Sequence, residues 1–220
     1  MSTSTTRILF VGNSYTSRHQ LPRLIADVAA NATPPVDVAP VAVVAGGASL
    51  RRHWNAGVAQ KTLSRSRWDY LVLQEQSTLP VKNCARYHEN VRLFAAEAAQ
   101  YATSVALYLT WSRQSAPQTQ AQITDAVRRI AAEVGASVVP VGVAWHRAIA
   151  ERPDLALYLD DGSHPTALGA YLTACVFAVA LLDRRPLGFA VSDALEIDRS
   201  TAAMLHQIAE GFARDSGKSC

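Results

Sequence analysis

Asp161 and His164 stand three residues apart in "LYLDDGSHPTALGAYLTA", directly ahead of Pro165 and a long apolar run. In a turn entering a helix, that spacing can bring a carboxylate against an imidazole. Near the other end of the chain, in "RILFVGNSYT", an apolar run stops at Gly12 and presents Asn13 and Ser14. A serine hydroxyl is a weak nucleophile until a base takes its proton. A histidine can be that base when a carboxylate holds its second ring nitrogen and stabilises the imidazolium. Ser14, His164 and Asp161 are thus the ingredients of nucleophilic acyl transfer, on condition that the two ends of the chain meet. Each fragment also has a plainer explanation. Asp161 can be a helix cap beside a surface histidine, and Gly-Asn-Ser is ordinary turn chemistry.

The elements around these residues supply the test. Residues 7–12 form a strand candidate, followed by a helical stripe of Leu21, Leu24, Ile25 and Val28 within "RHQLPRLIADVAANA" that ends before Pro34-Pro35. Further extended runs are "VDVAPVAVVAGG", "WDYLVLQEQS", "SVALYLTW" and "SVVPVG". Helical patterns lie between or after them: "NCARYHENVRLFAAEAAQYA", "QTQAQITDAVRRIAAEVGA" with Gly135 as its carboxyl cap, "VAWHRAIAER", and stretches near 166–182 and 193–214. Strands and helices in such alternation predict one α/β domain over residues 1–220, with a mainly five-stranded parallel sheet covered on both faces. Such sheets bind ligands outside the carboxyl ends of their strands. Ser14, Gly46-Gly47, Gln74-Glu75-Gln76-Ser77 and Trp111 all follow or end predicted strands, so they are expected on one rim.

Composition narrows the function classes. At 220 residues, with 49% apolar and 18% charged side chains, the chain has an ordinary globular balance. A chain of this length buries roughly 70% of its unfolded surface and needs no metal or disulfide staple. The net charge of +3 is small and the basic residues are scattered, which argues against a nucleic-acid partner. Cys84, Cys175 and Cys220 are widely separated and odd in number, so they make neither a disulfide framework nor a CxxC metal site. Cys175 reads as a small core residue. The amino-terminal stretch lacks the basic start and the apolar length of a signal peptide. No run reaches the ~18 apolar residues of a membrane span. The expected location is cytoplasmic, with no membrane partner. Gly-x-Ser-x-Gly, GxGxxG and a Walker lysine are all missing, which argues against an α/β-hydrolase elbow and a nucleotide site. The histidines other than His164 lack the spacing of metal ligands.

On "ILFVGNSYT" and "DDGSHPTALGAYLTA" the sequence resembles the SGNH, or GDSL-type, hydrolases, a family of esterases and lipases. The resemblance implies a three-layer α/β/α flavodoxin-like fold. Asn13 stands where the family usually has aspartate. Ser14 is the implied nucleophile, His164 the general base and then acid, and Asp161 the orienting carboxylate; Asp160 is a rival whose offset departs from the family spacing. The implied oxyanion hole combines the Ser14 N–H, a glycine N–H after the second strand and an asparagine side chain after the third. Gly47 fits the glycine, with Gly46 as its alternative. The family's Gly-x-Asn-Asp is replaced by Gln74-Glu75-Gln76-Ser77, where Gln76 falls on the asparagine and Gln74 is the other amide. Some carbohydrate acetylesterases of the wider family also carry glutamine and glutamate here. Asn13, Gln74 and Trp111 are expected to border the substrate. The implied activity is that of a serine esterase, without metal or cofactor, acting on a small-molecule ester of a short acyl group, for example acetyl on a carbohydrate. Transfer of the acyl group to another alcohol, or ligand binding without catalysis, are the alternatives on the same fold.

Overall fold

The computed structural model describes residues 5–188 and 190–213. Cys220 and the first four residues of the amino terminus lie outside the described residues. Five strands, β1 (Thr6–Gly12), β2 (Val38–Val44), β3 (Tyr70–Leu73), β4 (Ser104–Tyr108) and β5 (Ser137–Val139), form one sheet in the order β2-β1-β3-β4-β5. Every pairing is parallel, with Gly12 level with Val44 and Val11 level with Leu73.

The described helices are α1 (Ser14–Ser17), α2 (Leu21–Ala30), α3 (Leu50–Ala56), α4 (Val58–Ser64), α5 (Leu79–Lys82) and α6 (Cys84–Ala99). They continue with α7 (Gln120–Val134), α8 (Val141–Glu151), α9 (Ala167–Ala180), α10 (Ala190–Ala194) and α11 (Arg199–Glu210). Among the described residues no helix is long and apolar enough to cross a membrane.

The period of two along the strands makes the layers. Ile8, Phe10, Val72, Ala106 and Tyr108 point into a core shared with α2, α8, α9 and α11. Leu9, Val11, Leu71, Leu73 and Leu107 point into a second core shared with α3, α4, α6 and α7. Both sheet faces are buried, which is why the strands read as continuous apolar runs. Helix α9 is apolar almost all round and buried almost all round, as a helix between layers must be.

Several boundaries differ from the sequence reading. The stretch "RHQLPRLIADVAANA" is broken, because His19 and Gln20 take left-handed backbone angles and α2 starts only at Leu21. The buried stripe of Leu21, Leu24, Ile25 and Val28 lies on α2 as expected. The last pattern splits into α10 and α11 at Leu195–Asp198. No element was assigned between the second and third strands, yet α3 and α4 lie there. They are short, polar-faced and joined at Gly57 (φ +70°), so neither shows a full apolar stripe. Strand β4 stops at Tyr108, which leaves Trp111 beyond the strand and buried rather than on its open end.

Candidate active site

β1 has β2 on one side and β3 on the other, so the winding reverses between β1 and β3. That switch point opens a crevice at the strands' carboxyl ends. Ser14 is the second residue past β1. Gly12 allows the chain to turn there: a Cβ on it would lie 2.5 Å from Thr16 Oγ1 and 2.7 Å from Gln74 Oε1. Asn13 then caps the short turn α1, accepting the Tyr15 N–H on Oδ1 at 3.1 Å. Its Nδ2 donates to the Ala48 carbonyl at 3.0 Å, and its backbone N–H donates to Gln74 Oε1 at 2.9 Å. Ser14 is therefore the first residue of a helical turn, where a backbone N–H has no intrahelical acceptor.

The late loop is held by its own carboxylate. Asp161 Oδ1 accepts the N–H groups of Ser163 and His164 at 2.9 and 2.8 Å. Its Oδ2 lies 2.5 Å from His164 Nδ1. With the proton on Nδ1, that nitrogen donates to Asp161 and Nε2 keeps its lone pair. Nε2 lies 2.8 Å from Ser14 Oγ, so the hydroxyl can donate to it. The His164 hydrogen bond, followed by the two backbone N–H groups, holds the Asp161 carboxyl well below its ordinary value and keeps it ionised.

Three further contacts join the two ends of the chain. The Tyr15 hydroxyl is 2.6 Å from Ser163 Oγ, Trp111 Nε1 donates to the Ser163 carbonyl at 2.9 Å, and His19 Nε2 meets the Pro165 carbonyl at 3.0 Å. The Tyr15 ring stacks on Trp111 at 4.8 Å and sets its edge against the His164 ring at 5.5 Å.

Ser14 and His164 open on a cleft of about 170 Å³ that Gly47 and Gln76 also line, together with Ser77, Ser163 and Arg113. Gly47 sits at φ +63°, a conformation glycine adopts at little cost. Its N–H donates to no other group among the described residues. Gln76 Oε1 accepts both the N–H and the hydroxyl of Thr78 at 3.0 Å, which leaves its amide NH2 without a partner among the described residues. The cleft thus gathers Ser14, Gly47, Gln76 and His164 from four separate segments of the chain.

Of the three residues expected to border the substrate, Asn13 lines the cleft, whereas the expectations for Gln74 and Trp111 require correction. Asn13 is 3% exposed and both ends of its side chain are bonded. Gln74 is 1% exposed: its Oε1 accepts from Asn13 and Thr16, and its Nε2 donates to the Glu75 carbonyl. It buttresses the Ser14 turn from behind and does not line the cleft. Trp111 is buried between Tyr15 and Trp145, the latter stacked at 3.7 Å, and lines a neighbouring cavity of about 260 Å³ instead of the Ser14 cleft. The sequence reading missed Arg113. It lies in the loop after β4, exposed, and its guanidinium makes no ion pair among the described residues. Only the fold turns that loop toward Ser14. Among the described residues no group of three or more His, Cys, Asp or Glu side chains is arranged to hold a metal ion.

No family model matches the sequence, and no curated protein matches it. Solved structures do. A protein of Slackia heliotrinireducens described as an SGNH hydrolase is 26% identical, with a TM-score of 0.68 over 80% of this chain and 98% of that one. A DUF4886 family protein from Bacteroides uniformis superposes with a TM-score of 0.69 at 20% identity, over 94% of both chains. The acetylxylan esterase Axe2 from Geobacillus stearothermophilus does so at 0.61 and 17% identity, over 87% of this chain and 98% of that one. The last two show a shared fold. With a five-stranded parallel sheet in this order and a structural relative described as an SGNH hydrolase matched over 98% of its length, the chain has the fold of the SGNH, or GDSL-type, hydrolases and is similar to them.

Proposed function

We propose that the protein is a serine esterase that works through an acyl-enzyme. The reading is carried by one observation: Ser14 Oγ lies 2.8 Å from His164 Nε2, while Asp161 holds the opposite ring nitrogen. His164 takes the hydroxyl proton as Ser14 attacks the ester carbonyl, and Asp161 stabilises the imidazolium that forms. The N–H groups of Ser14 and Gly47 and the Gln76 amide receive the oxyanion as charge develops on it. His164 then protonates the departing alcohol. A water molecule, deprotonated by the same imidazole, releases the acid and restores the hydroxyl.

The cleft of about 170 Å³ suits a short acyl group. Similarity to an acetylxylan esterase supports acetyl on a carbohydrate as the substrate class.

The test compares wild type and Ser14→Ala on 4-nitrophenyl acetate, with a fluorophosphonate label as a second readout. Wild type should turn over the ester and label. Ser14→Ala should lose at least about 10³-fold in kcat and fail to label, because covalent catalysis needs the hydroxyl. Turnover retained by Ser14→Ala overturns the mechanism, and a wild type that neither hydrolyses nor labels points to a binding module.

A further inference from the structure

The loops that carry Gly47 and Gln76 meet on one buried carboxylate. Glu75 is 5% exposed, an unusual place for an acid. Its Oε1 accepts two backbone N–H groups, that of Leu50 at 3.0 Å and that of Gln76 at 2.7 Å. Its Oε2 accepts Asn90 Nδ2–H at 2.8 Å from α6. Asn90 is itself buried, and its Oδ1 accepts Arg51 Nε–H at 3.0 Å, which fixes which way the Asn90 amide faces. Leu50 opens α3 three residues after Gly47, so a single carboxylate oxygen joins the exit of β2 to the exit of β3.

We propose that Glu75 is the positioning residue of the oxyanion hole, fixing Gln76 and the Gly47 loop relative to each other; this rests on the serine-esterase reading above. A core has no need of a charge at this place, since burying a carboxylate costs free energy that only hydrogen bonds offset. Burial pushes the Glu75 carboxyl above its ordinary value, and the Asn90, Gln76 and Leu50 bonds pull it back. A shared acceptor fixes the separation of the two N–H groups that it holds. Donors held in place before charge develops are what oxyanion stabilisation requires. Glu75 touches no reacting atom, so its influence must appear through Gln76 and Gly47.

The test is a double-mutant cycle on the ester reaction with Glu75→Gln, Gln76→Ala and their combination, following kcat, KM and Tm. Glu75→Gln keeps the volume, so the chain should fold. It places an amide NH2 against the Asn90 NH2 and weakens the acceptor, and kcat should fall about tenfold with KM within about twofold. Gln76→Ala should lose ~10²-fold in kcat. The combined variant should lose little more than Gln76→Ala alone, because Glu75 acts partly through the group already removed. A Glu75→Gln kcat within twofold of wild type, with or without a lower Tm, overturns the positioning role. So does a combined loss closer to the product of the two single losses. A wild type with no ester turnover instead removes the reading on which this one rests, so the two failures are told apart.

Discussion

Asn13 shows how one atom can decide a residue's role. Its Oδ1 accepts the Tyr15 N–H, as an aspartate could, but its Nδ2 donates to the Ala48 carbonyl, which an ionised aspartate cannot do. Asparagine, where the SGNH hydrolases usually have aspartate, therefore suits this loop packing, in which its amide ties the Ser14 turn to the Gly47 loop. Asn13→Asp would set a carboxylate oxygen against a buried carbonyl. It is expected to cost about 1–3 kcal/mol of stability and to lower kcat with it. Denaturant unfolding and steady-state hydrolysis check this, and wild-type values for both would refute it. Asp161 is the opposite case. It is half exposed, yet three donors converge on it, so its ionisation follows from the hydrogen bonds and owes little to burial. The adjacent Asp160 has the same chemistry but makes no hydrogen bond or ion pair with the imidazole.

At the scale of elements, the end of β1 is the critical joint. Gly12 continues the sheet, with its carbonyl accepting the Ala45 N–H, and also lets the chain turn into α1 beneath Gln74 and Thr16. Gly12→Ala is expected to push Thr16 Oγ1 and Gln74 Oε1 away from the methyl group. Gln74 Oε1 holds the Asn13 N–H, so the displacement reaches Ser14. A fall in kcat of at least about tenfold, with about 1–3 kcal/mol of lost stability, is expected by analogy with overpacked cores. Unchanged kinetics would show that the turn tolerates a Cβ. The element boundaries illustrate what a linear pattern conveys. The stripe of α2 and the cap at Gly135 are legible because periodicity and capping are local. The left-handed pair His19-Gln20, the paired short helices α3 and α4, and the early stop of β4 before Trp111 are not. They follow from how the chain must turn to reach the next layer.

At the scale of the whole molecule, buried histidines in both layers are expected to contribute a pH dependence of stability. His53 Nε2–H donates to the Gly12 carbonyl at 2.7 Å, and His206 Nε2 on α11 meets the Tyr171 hydroxyl of α9 at 2.6 Å. Burial is the leading cause that lowers both below the ordinary value of 6.5. The unfolded chain therefore takes up protons on these groups before the folded protein does. The stability they permit is complete above about pH 6.5 and declines as pH falls through that value toward the folded pKa. Glu75 acts in the opposite sense, since burial raises its carboxyl and the folded state binds that proton more readily. A comparison between variants isolates the histidine. His206→Gln does not titrate, so its Tm relative to wild type should rise steadily between pH 7.5 and 5.5. A constant Tm difference across that interval would contradict the assignment.

Residue order alone determined the α/β class, because alternating apolar runs and helical stripes can bury their faces in few ways. It also made Ser14, Asp161 and His164 recognisable, since the chemistry of each lies in its side chain and local spacing. Which amide faces the cleft is a different kind of question. Gln74 and Gln76 are two residues apart with the same functional group. Only the packed structure turns one inward to accept from Asn13 and Thr16 and leaves the other at the cleft beside Gly47. Arg113 beside Ser14, Trp111 buried against Tyr15 and Glu75 under two loops are likewise products of long-range contact. Local patterns specify what a segment can form, whereas burial and partner choice depend on segments far away in the chain that fold against it.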